Sequence, residues 1–415
     1  MRHSGFVIVR SAQKLVMEAM GDTPVVLIHG PRQAGKSTLA QAVAEEAKIS
    51  RRISMDDVLP RSRALTDPTE FVATISGPIL IDEVQRVPEI FLPIKSSVDK
   101  DRRPGRFLLT GSSNILALPK LADSLAGRMA IVDLLPLAQS EVEGNLTSGF
   151  VDVAFGEAPV EFEGDGAPDL IDRVVRGGFP EVRGRASASR RDAWFADYVR
   201  SLLERDVRDL ANIESLAQLP RLLNLLAARA GTTLNVVGLS RDTGIANTTL
   251  HRYLDLLRAV FLIHNVPAWS TDHGARLTKA PKAYLVDTGL LAHLDNASAA
   301  AMEDRDTLDP VLENFVAMEL KKLALASELR PSLFHLRTVK QLEVDFVLEA
   351  RGGDVVGVEI RSSTTVRPED ANGLRFLKEL AGEKFRRGIV LYRGRTVEPL
   401  ARDIAAWPID SLWRL

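Results

Sequence analysis

The sequence predicts a multidomain α/β chain that opens on a parallel sheet and ends on a second α/β domain. Three observations predict it. Short apolar runs at 25–29, 79–81 and 107–110 are separated by helical patterns, among them 15–20 and the alanine-rich 37–47. Strands divided by helices give a parallel sheet with helices on both faces. The chain has 415 residues, 45% hydrophobic and 26% charged, room for about two to four domains with their own cores. Beyond 144 the pattern changes, first to a stretch rich in Gly, Pro and acids, then to helical periodicity, then to alternating strands.

Taken in order, 1–143 is the first α/β domain, closed by 136–141. Residues 144–220 are a linker or mobile loop (144–168) followed by a helical lid. The lid holds 169–175, the turn Arg176-Gly177-Gly178-Phe179-Pro180, and an amphipathic helix over 191–210 with Trp194, Tyr198, Leu202 and Leu203 on one face. Residues 221–298 read as helices at 222–230, 236–243 and 247–260 and a strand pair at 261–266 and 283–286. Residues 299–415 read as a helix at 309–325 and strands at 332–337, 343–350, 355–361 and 388–392.

Net charge is -2, so the chain is not a strongly basic nucleic-acid coat, although a local basic patch is compatible with it. Cysteine is absent, which excludes disulfides and thiolate metal sites and fits a reducing compartment. The short apolar run near Met1 falls short of a signal peptide, and no stretch approaches a membrane span; a cytoplasmic protein with no membrane partner is expected. The seven histidines show no metal-ligand spacing.

Gly30-Pro31-Arg32-Gln33-Ala34-Gly35-Lys36-Ser37 has the spacing of a P-loop between an apolar strand and a helix. Glycines let backbone N–H groups turn inward around a β-phosphate, and the next helix aims its amino terminus at that charge. Lys36 is expected on the β- and γ-phosphates, Ser37 on Mg²⁺, and Thr38 in the same nucleotide-binding set. The run Ile79-Leu80-Ile81-Asp82-Glu83 looks like a Walker B strand: Asp82 holds Mg²⁺, and Glu83 polarises the attacking water. Past the third strand, Ser113 or Asn114 either senses the γ-phosphate or caps a helix. Arg128, in Ser124-Leu125-Ala126-Gly127-Arg128, is a candidate arginine finger acting across a subunit interface, or else a surface arginine. The expected cofactors are ATP and Mg²⁺, and a finger in trans implies a homo-oligomer, a ring or dimer.

Residues 236–257 read as a helix-turn-helix, and the strand pair after it would make a wing. Such a unit lays its last helix in a major groove or packs as a structural lid. Asn247, Thr248, Thr249, His251 and Arg252 would be the exposed readers of DNA.

With these residues in view, the chain resembles a prokaryotic family of ATPases that join an AAA-type (AAA_14) domain to the domain of unknown function DUF4143. The runs that carry the resemblance are the P-loop and Ile81-Asp82-Glu83-Val84-Gln85-Arg86-Val87-Pro88, then Leu109-Thr110-Gly111-Ser112 and Ser124 to Arg128. They continue through Gly177-Gly178-Phe179-Pro180-Glu181 and Glu204-Arg205-Asp206-Val207 to Tyr284-Leu285-Val286-Asp287-Thr288-Gly289-Leu290 and Val344-Asp345-Phe346-Val347. The first half is also similar to archaeal-type and signal-transduction ATPases, which implies that Gly178-Phe179-Pro180 brings Pro180 toward the adenine.

The last domain resembles the restriction-endonuclease-like fold, in which a helix glutamate, a strand aspartate and a Glu-x-Lys strand surround a metal. The resemblance implies Glu313, Asp345 and Glu359 for those places. Arg361 stands where the lysine belongs, and a guanidinium does not replace an ammonium well. A module that binds DNA or docks without cutting is therefore expected. The sequence leaves three uses of ATP open: a DNA-associated machine, a slow switch whose C-terminal half binds a protein partner, and an ATP-regulated nuclease.

Overall fold

The computed structural model describes residues 8–112, 125–146, 149–207, 217–338 and 342–415. They pack as two compact units, one running to Leu137 with Ala259–Phe261, the other comprising Ala138–Arg258 and Leu262–Leu415.

The first unit is built on five parallel strands, β1 (Val25–His29), β2 (Arg51–Ser54), β3 (Ile79–Asp82), β4 (Phe107–Gly111) and β5 (Met129–Asp133), in the order β2-β3-β4-β1-β5. β1 lies between β4 and β5, with Val25 level with both Phe107 and Met129. Alternate side chains of a strand point to opposite faces, so each strand feeds two cores. On one face Val25, Leu27, Ile79, Ile81, Phe107 and Leu109 meet Phe91, Ile94 and Val98 of the helix Phe91–Lys100. On the other, Val26, Ile28, Leu80 and Leu108 meet Val16 of the helix Ala12–Asp22 and Leu39, Ala40 and Val43 of the helix Lys36–Glu46. The parallel sheet and its three central strands stand where the apolar runs predict them. The two edge strands are not among those runs: β5 has the short apolar run Met129 to Val132, and β2 has none. An edge strand pairs on one side only, and the polar Arg51-Arg52-Ile53-Ser54 is largely exposed.

In the second unit, helices Leu219–Ala227, Val236–Thr243 and Asn247–Ala259 precede an antiparallel pair, β6 (Ile263–Val266) and β7 (Lys282–Leu285). Gly244 turns between the second and third helices at φ 74°, where a side chain is strained. A six-stranded mixed sheet follows: β8 (Ser332–Arg337), β9 (Glu343–Glu349), β10 (Val355–Ile360), β11 (Phe385–Tyr392), β12 (Glu398–Ala401) and β13 (Ile404–Pro408), in the order β12-β13-β11-β10-β9-β8. The helix Asn372–Ala381 lies on it through Leu374 and Leu377.

β12, β13 and the helix Asn372–Ala381 have no counterpart in the sequence expectation, and two further stretches differ from it. The segment read as a loop contains the helix Phe150–Phe155, whose Phe150 packs edge-on against Trp407 at 5.6 Å. The helix expected over 191–210 runs as Ala188–Ser201 and then widens to a π-helical turn, Leu202–Asp206. Trp194 and Tyr198 stack at 5.0 Å, and Phe179 packs on both. The two Gly-rich signatures interlock. The buried Asp287 accepts from the N–H of Gly178 at 2.6 Å and from that of Leu290 at 3.1 Å, where it caps the helix Thr288–Leu294. A side chain at Gly177 would stand 2.2 Å from Asp287 Oδ1, so this turn accepts glycine only.

Candidate nucleotide site and the C-terminal acidic cluster

The phosphate loop leaves the buried end of β1. A Cβ on Gly30 would lie 2.0 Å from the carbonyl oxygen of Leu134, so only glycine lets the loop pass. Gln33 and Gly35 take positive φ, 63° and 97°, which curls the backbone ahead of the helix Lys36–Glu46. Lys36 is only 4% exposed, and its Nζ donates to the carbonyl oxygen of Pro31 at 2.8 Å. The cation is thus folded over the concave side of the loop. Ser37 is half-buried and Thr38 is exposed on the first turn. Arg10, which nothing local in the sequence marks, braces the loop from outside. Its guanidinium donates to the carbonyls of Ala34 and Leu135, each at 2.6 Å.

β3 delivers Asp82 to the same place. Asp82 Oδ1 accepts from Ser37 Oγ at 3.0 Å and from Thr110 Oγ1. The Thr110 hydroxyl accepts in turn from the N–H of Glu83 at 3.0 Å, tying β3 to β4. Glu83 has left-handed backbone, φ 57°, and its carboxylate meets Gln85 and Ser112. Thr110, Ser112 and Gln85 belong to the runs that carry the family resemblance but had no chemical role in the sequence. Asn114 and Ser113 lie outside the described residues.

Arg128 is at the opposite end of the sheet from its own phosphate loop. Its carbonyl accepts from the N–H of Val25, the first residue of β1, at 3.2 Å. The length of β5, about 17 Å at ~3.4 Å per residue, separates it from Leu134 beside Gly30. Its guanidinium pairs with Asp99 at 2.7 Å, which holds that carboxylate below the usual range. Within one chain Arg128 is therefore no finger for the nucleotide. Pro180 opens the short helix Pro180–Arg183 in the second unit.

In the C-terminal half, Glu313 of the helix Arg305–Ala326, Asp345 of β9 and Glu359 of β10 face one region. The arrangement departs from the metal-centred one that the resemblance implies. Lys282 of β7, 3% exposed, places its Nζ 2.8 Å from Glu313 Oε1 and 2.6 Å from Glu343 Oε1. Tyr284 Oη donates to the same Glu313 oxygen at 2.7 Å. Burial opposes the charge on Lys282, yet Glu313, Asp345 and Glu343 together raise its pKa. Burial, then the charge of Glu313, pushes Asp345 up to about 7. Burial, then Asp345, holds Glu359 well above the carboxylate range. Arg361 is occupied by Asp370 at 2.8 Å and Glu359 at 3.4 Å. Among the described residues, no three His, Cys, Asp or Glu side chains converge as a metal site. The ammonium of Lys282 supplies a positive charge beside these carboxylates.

On the helix Asn247–Ala259, Asn247, Thr248, His251 and Arg252 are exposed and Thr249 is half-buried. Asp255 shares the exposed side and pairs with Arg258 at 2.8 Å. No described helix is long and apolar enough to cross a membrane.

Residues 22–143 match the AAA domain family, 167–301 a domain of unknown function, DUF8612, and 309–412 a domain of unknown function, DUF4143. The chain is 31% identical over 404 residues to the uncharacterized protein Rv2008c of Mycobacterium tuberculosis, across 97% of this chain and 84% of that one. An uncharacterized protein of Haemophilus influenzae is 22% identical over 313 residues, across 72% of this chain and 69% of that one. Among solved structures, the RuvB Holliday junction branch migration motor of Thermotoga maritima is 19% identical, covering 61% of this chain and 87% of that one, with a TM-score of 0.30. A TM-score that low carries no weight for function.

Proposed function

We propose, from the premise that this chain belongs to the ATPase family joining an AAA domain to a C-terminal DUF4143 domain, that it binds ATP with Mg²⁺, hydrolyses it, and uses the cycle to rearrange its C-terminal half on DNA. The observation that carries the hydrolytic reading is the meeting of Ser37 and Asp82 at 3.0 Å below the phosphate loop, with Glu83 next in the chain.

A hydroxyl against a carboxylate is the donor set that suits Mg²⁺: hard oxygens, one of them charged. Ser37 and Asp82 would hold the ion, which when bound supplies charge neutralisation on the phosphate oxygens. The chain's own groups do the rest. The N–H groups between Gly30 and Ser37 bind the β-phosphate. Lys36 exchanges the Pro31 carbonyl for phosphate oxygens. Glu83 orients a water in line with the γ-phosphate and takes its proton. Arg128 of a neighbouring copy would complete the charge stabilisation, which makes the working form a homo-oligomer. Pro180 would lie against the adenine.

The DNA reading is supported by the exposed Asn247, Thr248, His251 and Arg252 at the start of one helix, which the antiparallel pair β6 and β7 follows. Asp255 on the same side favours a second reading, a slow switch that binds a protein. Internal compensation by Lys282 weighs against the third reading, an ATP-regulated nuclease. The test is steady-state ATP hydrolysis with Mg²⁺, with and without single- and double-stranded DNA, at fixed salt. The DNA reading expects a rise in turnover; slow turnover that DNA leaves unchanged rejects it in favour of the switch. Lys36→Ala should abolish binding of ATP, and turnover surviving that change would place the site elsewhere.

A further inference from the structure

Glu83 is a non-glycine residue with left-handed backbone, an arrangement that costs about 1–2 kcal/mol and persists only where neighbours hold it. One neighbour of its carboxylate is Gln85, two residues on in the turn Val84–Arg86. The Gln85 amide is used at both ends. Its Nε2 donates to Glu83 Oε2 and lies 2.8 Å from Ser112 Oγ, while its Oε1 accepts from the N–H of Ser112 at 3.4 Å. Ser112 is 3% exposed and donates from Oγ to Glu83 Oε2 at 3.2 Å. Both side-chain contacts therefore fall on the same carboxylate oxygen, Oε2.

That choice of oxygen matters. A general base has to present a lone pair within about 2.6–3.2 Å of the water it deprotonates. A carboxylate pinned by Oε2 at two points cannot spin about its last bond, and Oε1 is the oxygen left to meet water. The same amide joins Glu83, the residue after β3, to Ser112, the residue after β4, so a shift of β4's end would move the base.

We propose that Gln85 is the positioning residue for the attacking water: it fixes Glu83 by Oε2 so that Oε1 faces the γ-phosphate, and it couples that aim to the end of β4 through Ser112. The inference rests on the reading of Glu83 as the base. Gln85 acts through Glu83.

The experiment compares Glu83→Gln, Gln85→Ala and Gln85→Glu in the full chain, reading kcat, KM and ATP affinity. Gln85→Ala should lower kcat about tenfold or more, a part of the 10²–10⁴-fold that a positioned base supplies, while KM and ATP affinity stay within about twofold. Gln85→Glu keeps the shape but replaces the amide that donates to Oε2 by a carboxylate that repels it, so its kcat should fall at least as far as that of Gln85→Ala, again with KM and ATP affinity near the parent's. A general loosening of the phosphate loop would raise KM and weaken ATP binding together with kcat, which separates it from a misaimed base. A Gln85→Ala kcat within about twofold of the parent, or above it, overturns the proposal, as does a parental kcat in Gln85→Glu. Should Gln85→Ala fail to fold, Gln85→Glu and Ser112→Ala decide. If Glu83→Gln turns over at the parental rate, the base assignment has failed; if Glu83→Gln is inactive and the Gln85 variants behave as the parent, only this inference has failed.

Discussion

Two regions of the molecule gather carboxylates beside a lysine, and they resolve the charge in opposite ways. At the end of β3, Asp82 is held by two hydroxyls, those of Ser37 and Thr110, while Lys36 is turned to a backbone carbonyl. Beside β9 and β10, Glu313 and Glu343 are held by the ammonium of Lys282, and Glu359 by the guanidinium of Arg361. Hydroxyl partners can open to a cation that arrives with a nucleotide. At the second region the counter-charge is an ammonium carried by the chain. Acidic motifs of similar appearance therefore differ in where their counter-charge comes from.

The largest expected effect is at the first region. Glu83→Gln should keep ATP bound while kcat falls 10²–10⁴-fold, the usual contribution of a general base. Single-turnover hydrolysis with radiolabelled ATP measures it. A parental rate would remove Glu83 from the mechanism.

At the second region the effect is on stability. Lys282→Met takes the buried ammonium away from the half-buried Glu313 and Glu343, while Glu313 keeps the Tyr284 hydroxyl, so the loss is about 1–3 kcal/mol, less than for a fully buried pair. Denaturant unfolding of the full chain should show it, and adding Glu313→Gln to Lys282→Met should recover part of the loss. A change below about 1 kcal/mol would mean that the cluster is solvated and the contrast between the two regions is false.

Next comes the pH dependence of that cluster. Asp345 is pushed up from 3.8 to about 7, so the folded chain keeps a proton that the unfolded chain has already released. Its contribution is fully present below pH 4 and is lost as pH rises to about 7 and beyond. Glu359 shifts in the same direction. Asp345→Asn cannot titrate but can still accept from the N–H of Ile360, which Asp345 does at 2.9 Å. Relative to the parent, the variant should gain stability between pH 5 and pH 8. Thermal midpoints at the two values measure it, and an unchanged difference would refute the shift.

The phosphate loop was legible because its physics is local: eight consecutive residues carry the turn, the cation and the hydroxyl between a strand and a helix. Asp82 and Glu83 were legible for the same reason, as the end of a buried apolar run. Gln85 and Ser112 were not, since their contact joins residues 27 positions apart on different elements. Lys282 was hidden in a segment read as a wing, and its role exists only once Glu313 arrives from 31 residues away. The resemblance flagged both Gly178 and Asp287, yet their hydrogen bond spans 109 positions, a distance that no periodicity reports.

Arg10 is the most distant case from anything local and gives the smallest expected effect. It holds the backbone of the phosphate loop at Ala34 and the exit of β5 at Leu135 with one planar fork. A lysine has a single ammonium on a flexible stem and cannot span the two carbonyls in the same way. Hydrogen bonds from a charged donor contribute about 1.5–3 kcal/mol each, part of which goes to stability and part to keeping the loop shaped for phosphate. Arg10→Ala should therefore weaken ATP binding about tenfold, with Arg10→Lys between it and the parent. Fluorescent-nucleotide titration reads the order. If Arg10→Lys equals Arg10→Ala, the fork geometry is what matters; if both bind as the parent does, the loop holds its shape without the brace, and the preorganised site depends on Gly30, Gly35 and the helix alone.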